Sequence, residues 1–220
     1  MPLHFSEAEL SRIKEAVDAA EAGTSGEIVP FIIKNSGRYG EAVWRAASVC
    51  AVGALLLVLI IQQVYEGWGL AWMYTSWGVA LVATMAGALG AVVTEYIPAV
   101  KRALIPEGLL ARKVHRRAMQ AFVEEEVFNT RDRTGILIFI SILEHRIEVL
   151  GDEGINAEVE EEDWIEIVEH IRLAIREDRV AQGLVEAIEL CGALLKKRGV
   201  DPRGDDPNEL SNELRIHPGD

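Results

Sequence analysis

Two cysteines in 220 residues are too few for a disulfide framework. Cys50 sits inside an apolar run and Cys191 inside a helical pattern, so the two are not expected to meet. No Cys-x-x-Cys pair is present for zinc or redox work. Other short signatures of chemistry are missing as well. There is no glycine-rich P-loop, no His-Glu-x-x-His helix and no Asp-x-Asp pair. His4, His115, His145, His170 and His217 are scattered. A cysteine phosphatase needs a low-pKa thiolate in a phosphate-cradling loop, and Cys191 lies in no such loop. These absences leave no catalytic centre legible from motifs.

Charge is missing too, in two places. From Ala46 to Tyr65 there is none for 20 positions, and from Gly67 to Thr94 none for 28. A membrane span needs about 20 apolar residues. Both runs meet that length, and buried helices of soluble proteins rarely lack charge for so long. Spans are expected over about 46–65 and 71–94, within a segment 41–104. More than forty acidic, patterned residues precede the first, so it does not read as a signal peptide. The short link Gln62–Gly69 makes the two helices antiparallel neighbours. Tyr65, Trp68, Trp72, Tyr74 and Trp77 gather at that link, and Trp44 and Tyr96 at the opposite ends, as rings that favour the headgroup level do.

The formal net charge is −13, yet basic residues flank the runs. Lys34, Arg38 and Arg45 precede the first, and Lys101, Arg102, Arg112, Lys113, Arg116 and Arg117 follow the second. The link carries only Glu66. The positive-inside rule then places both termini in the cytoplasm, as for a multi-pass protein of a bacterial inner membrane. Arg112, Lys113, Arg116 and Arg117 suit anionic lipid headgroups better than nucleic acid. Neither run carries an ionisable residue deep inside, which disfavours a proton or ion pathway. Ala83, Gly87 and Ala91 form a small-residue stripe that suits packing inside the hairpin; a homodimer is the sharper alternative.

Outside the runs the pattern is α/β. Ser6 and Glu9 form a capping box before a helix over about 6–22, ended by Gly23-Thr24-Ser25-Gly26. Glu27–Lys34 is strand-like, and Pro30 within it suggests an edge, a bulge or a strand start. A helix follows Pro106 and runs to about Phe128. Ile136–Ile142 reads as a strand buried on both faces, and Arg146–Leu150 as its partner after a tight turn at Leu143-Glu144-His145. Two helices follow, the second ended by Gly199. Residues 201–220, rich in Asp, Pro, Asn and Gly, are expected to be a disordered acidic tail. The first part of the domain is then 1–40 and the second 105–200, in a three-layer α/β/α sandwich with a small mixed sheet, interrupted by the hairpin.

Three stretches carry a family resemblance. They are Thr24-Ser25-Gly26-Glu27-Ile28-Val29-Pro30, the run Arg133–Ile155, and Trp164 followed by Gln182-Gly183-Leu184 and Ala187-Ile188. Together they resemble the TPM-domain family, and most closely its bacterial membrane members with two inserted spans. The resemblance implies an α/β/α sandwich. Some relatives are described as phosphatases, and some bind calcium or another divalent ion through carboxylates.

Carboxylates near strand ends supply the candidate site. Glu144 closes the turn after the buried strand, and Asp152 and Glu153 follow its partner. Ligands favour strand carboxyl ends in open α/β sheets, and carboxylates suit Ca2+ or Mg2+. Strands one and two should also bring Asn35, Ser36 and Glu144 together. The plain alternative is a solvated turn of ordinary polar residues. The runs Glu124–Glu126 and Glu160–Asp163 read as solvated helix ends. The sequence therefore favours a membrane-anchored interaction or scaffold module with a protein partner at the cytoplasmic face. The alternative is a divalent-metal-dependent phosphatase.

Overall fold

The computed structural model describes residues 5–64, 68–177, 179–200 and 208–219. They fall into two compact units: Met1–Gly37 with Ala111–Asp220, and Arg38–Leu110.

The first unit opens with α1 (Glu7–Glu21). The Ser6 hydroxyl accepts the Glu9 N–H at 3.2 Å, and the Glu9 carboxylate accepts the Ser6 N–H at 2.8 Å. That reciprocal cap fixes the first turn. Strand β1 (Glu27–Ile33) follows. After the second unit the chain continues through α5 (Glu107–Glu124), β2 (Gly135–Ser141), β3 (Arg146–Gly151) and the short α6 (Glu153–Asn156). The helices α7 (Ile165–Arg176) and α8 (Val180–Arg198) and the strand β4 (Arg215–His217) complete it.

The sheet order is β3-β2-β1-β4. β1 runs parallel to both β2 and β4, and β2 pairs antiparallel with β3. Parallel neighbours need a crossover connection, and the whole second unit lies within the one from β1 to β2. Alternation along the strands builds two cores. Ile28, Ile32, Ile136, Ile138 and Ile140 pack with α1, α7 and α8. Val29, Phe31, Ile33, Leu137 and Phe139 pack with Val114, Ala118 and Ala121 of α5. Helices thus cover both faces of a mixed sheet.

Two expectations need correction. Pro30 is not on an outer strand: β1 lies between β2 and β4. The Glu27 N–H points to the β2 side, where it meets the Thr134 carbonyl. By alternation the N–H groups of Ile28, Ile32 and Lys34 point the other way. Lys34 donates to the His217 carbonyl of β4, and Ile28 to the Glu21 carboxylate. Proline, which has no N–H, occupies the position on that side between Ile28, which Glu21 satisfies, and the start of β4 at Phe31. Nor are the last residues simply a disordered tail. Leu210 and Leu214 pack onto the two cores, and Arg215–His217 extend the sheet. The alternation Leu214-Arg215-Ile216-His217 is strand-like, but the acidic, proline-containing surroundings mask it.

The second unit is a pair of long helices, α2 (Gly40–Val64) and α3 (Ser76–Tyr96), with a 3-10 turn at Trp68–Tyr74 and the short α4 (Pro98–Ala103). The second apolar helix starts later than position 71 because Thr75 caps it, its hydroxyl accepting the Gly78 N–H at 3.1 Å. Glu66 and its neighbours Tyr65 and Gly67 lie outside the described residues. α2 and α3 are antiparallel. A Cβ on Gly87 would lie 3.2 Å from the Ala47 carbonyl oxygen, and one on Gly90 would lie 2.6 Å from the Cys50 sulfur. The small-residue stripe therefore buries Gly87 against α2, with Ala83 and Ala91 half-buried beside it. Thr84 and Thr94 hydroxyls donate to carbonyls four residues back, so the helix satisfies them itself.

Candidate functional site

Where the parallel strands end, the ladder runs on. Ile142 N–H donates to the Ile33 carbonyl and Leu143 N–H to the Lys34 carbonyl. This carries residues 34–36 alongside 142–144. His145, with φ of 50°, then reverses the chain in the left-handed region, which histidine tolerates better than most residues. The turn folds Glu144 inward, to 1% exposure. Its carboxylate accepts the Ser36 N–H at 2.8 Å and the Ser141 hydroxyl at 2.5 Å, and the two serine oxygens lie 2.7 Å apart. Asn35 turns aside, its amide donating to the Gly37 carbonyl at 3.1 Å.

A carboxylate beside two hydroxyls has the composition of an activated nucleophile. The burial argues otherwise: Ser36 and Ser141 are 5% and 0% exposed. As it stands, the cluster is a clasp between two strand ends.

The structure does not bring the three candidate carboxylates together. β3 runs antiparallel to β2, with Arg146 opposite Ser141 and Gly151 opposite Ile136. Asp152 and Glu153 therefore lie at the other end of the sheet from Glu144, about 17 Å along the strands at ~3.4 Å per residue. The grouping of Glu144, Asp152 and Glu153 into one metal site is thus corrected. Among the described residues no three histidine, cysteine or acidic side chains are grouped to hold a metal ion. Asp152 instead caps α6, accepting the Glu153 N–H at 2.8 Å, and pairs with Arg133 at 2.9 Å. Glu153 is exposed. Both line a cavity of about 690 Å³ with Met119, Phe122, Leu150 and Asn156. Its lining is largely apolar.

A second acidic cluster escaped the sequence reading. The Asn212 amide donates to Asp18 at 2.6 Å and to Glu21 at 2.7 Å. Glu27 accepts the backbone N–H groups of Glu209 and Leu210. Burial, reinforced by the neighbouring Glu27 and Asp18, pushes the Glu21 carboxyl up to about 8. Asp18, Glu21 and Glu27 come from consecutive α1 and β1, but the strap of residues 208–214 that bonds to all three comes from far along the chain. Burial likewise pushes the Cys191 thiol up to about 12, consistent with an inert core cysteine.

A model of the TPM domain matches residues 100–194. No curated protein matches the chain. Among solved structures, the NMR structure of BA42 protein from the psychrophilic bacterium Bizionia argentinensis is similar over 98% of this chain and 98% of its own, with a TM-score of 0.58 and 22% identity. At that identity the likeness concerns the fold alone. The matched segment begins after α3, so α1 and β1 reach the domain from before the apolar helices.

Proposed function

We propose that the chain, whose residues 100–194 match a model of the TPM domain, is an integral membrane protein in which α2 and α3 anchor that domain at the cytoplasmic face as an interaction module. The observation that carries the reading is the outer surface of the two helices. Val49, Val52, Leu56, Leu57, Leu59 and Ile60 of α2 are exposed, as are Leu81, Met85, Leu89 and Val92 of α3. Only 6% and 22% of their most apolar windows are buried in the protein, whereas the core helix of a soluble domain is mostly covered. In water each such side chain forgoes roughly 1.5–3 kcal/mol of burial. A bilayer supplies it. Trp44 and Tyr96 at one end, and Trp72 and Trp77 at the other, are exposed at the levels where interfacial rings sit.

What supports a partner-binding role is the open, largely apolar cavity beside α5, where Met119 is exposed. The orientation rests on the flanking basic residues. Alkaline carbonate should leave the chain in the membrane pellet. A reporter active only outside the cytoplasm should be silent after Asp220 and active at Gly67. Release by carbonate, or the reverse reporter pattern, defeats the reading. The alternative is a divalent-metal-dependent phosphatase acting through Glu144. It would reveal itself as Mg2+- or Ca2+-stimulated phosphomonoester hydrolysis by the purified full chain, lost in Glu144→Gln.

A further inference from the structure

Basic residues gather at one edge of the sheet. At the carboxyl ends of β1 and β2 lie Lys34 and the turn residues His145 and Arg146. α5 enters at the same edge: a Cβ on Gly37 would lie 3.0 Å from Lys113 Cδ. Arg112 and Arg116 are exposed on α5's first turns within this unit, as are Lys34 and His145. The carboxylate among these segments, Glu144, is turned inward and bonded to Ser36 and Ser141. Glu148, two residues further along β3, is hydrogen-bonded to His115 at 3.1 Å. The other end of the sheet carries Asp18, Glu21, Glu27, Asp152, Glu153 and Glu209, with Arg133 paired to Asp152 and Lys196 beside Gly23. Seven-residue strands separate the two ends by about 23 Å, nearly three Debye lengths at physiological salt. The exposed Lys34, Arg112 and Arg116 are thus screened from those carboxylates, in a chain of net charge −13.

This is also the edge at which the chain leaves the domain, after Gly37, and re-enters it, at Ala111. We propose that the carboxyl-end edge of the sheet, through Lys34, Arg112, Lys113, Arg116 and Arg146, is a binding surface for anionic phospholipid headgroups. The proposal rests on the membrane anchoring argued above and adds a lipid preference to it. Arg117, grouped with these residues by sequence, takes no part. It is 7% exposed, stacked over Phe31 and paired with Glu124 at 3.0 Å.

The test uses the full chain in nanodiscs, with Cys50→Ala and one fluorophore on His145→Cys or, as control, on Glu153→Cys. Lipids carrying a nitroxide at the headgroup act as quencher. Adding about 30 mol % phosphatidylglycerol to phosphatidylcholine should raise quenching at position 145 at least about twofold. About 0.5 M salt, which shortens the Debye length towards 4 Å, should remove the gain. The quadruple variant Lys34→Glu, Arg112→Glu, Arg116→Glu, Arg146→Glu should show no gain while keeping its melting temperature. Position 153 should respond to none of these changes. Quenching at 145 that ignores lipid charge and salt overturns the proposal, even though the chain is in the disc. Loss of the gain to an equal charge of single-stranded oligonucleotide, with binding saturating at this edge, reassigns the surface to nucleic acid and overturns it too. A chain that does not enter the disc overturns the anchoring first and this inference with it.

Discussion

Glu144 ties two strand ends that belong to distant parts of the sequence. Its carboxylate accepts from Ser36, 108 positions away, and from Ser141. Truncation leaves a buried amide and a buried hydroxyl without their acceptor, and each orphan costs about 1–3 kcal/mol. Glu144→Ala should therefore destabilise the domain by roughly 2–4 kcal/mol, read as a lower urea midpoint with an unchanged slope. Glu144→Gln keeps one acceptor and should lose less. An equal loss in both variants would show that charge, not the two hydrogen bonds, matters. Gly135 offers a sharper case. An added Cβ would sit 1.9 Å from the Val127 carbonyl oxygen, a backbone atom that cannot step aside. Gly135→Ala should cost about 1–3 kcal/mol or more by the same measurement. At this scale the sequence was informative about type and silent about distance. Residue spacing put Asn35, Ser36 and Glu144 near adjoining strand ends, and Ser36 and Glu144 do meet. It grouped Asp152 with Glu144 because both follow strands. A strand that returns antiparallel, however, delivers its end to the opposite edge of the sheet.

At the scale of elements, the strap of residues 208–219 was the one the sequence hid. Its strand is only 3 residues long, too short for periodicity to register. Its hold comes from side chains elsewhere: Glu27, Asp18 and Glu21 on one side, and Glu125, which pairs with Arg215 at 3.2 Å, on the other. A stop codon after position 207 should uncover the Lys34 N–H, which donates to the His217 carbonyl, and the β1 edge beside it. Faster hydrogen exchange at Lys34 and concentration-dependent association through the bare edge are expected. Unchanged exchange there would mean that the strap does not hold in solution. The strap also sets a pH dependence. Glu21 is an acid with a folded pKa raised from 4.5 to about 8 by burial. Folding thus favours its protonated form. Its contribution is intact below about pH 4.5 and is lost as pH rises to about 8. Stability should fall across that window, and Glu21→Gln, which cannot ionise, should flatten the decline. Urea midpoints at several pH values check this, and parallel declines in the two proteins would refute it.

On the scale of the whole molecule, the domain is built from both sides of the apolar helices, and neither side is complete. β1 comes from before them, yet it lies in the middle of the sheet, hydrogen-bonded to β2 on one side and β4 on the other. All seven of its residues are buried. α1, from the same segment, packs Ile13, Val17 and Ala20 into the core shared with α8. Without residues 5–37, β2 loses its parallel partner, β4 has no strand to join, and both cores open. Ile28, Val29, Phe31, Ile32 and Ile33 alone would remove five large apolar side chains, roughly 1.5–3 kcal/mol each. Even before the lost hydrogen bonds are counted, that is comparable to the ~5–15 kcal/mol by which a domain is stable. The order α–β, apolar pair, α–β–β–α–α was legible from hydropathy and caps. That β1 would be central was not, because Pro30 suggested an edge, a bulge or a strand start. The expected outcome is that residues 105–220, expressed alone, stay molten: helical in far-UV dichroism, without near-UV signal, and dye-binding. The remedy follows from the neighbouring positions of Gly37 and Lys113. A short flexible linker in place of residues 38–110 should bridge that gap with little entropic cost. It should restore a single cooperative melt and dispersed amide resonances. A sharp melt from residues 105–220 alone would mean that β1 is dispensable, and the domain would then have to be read as starting after the apolar helices.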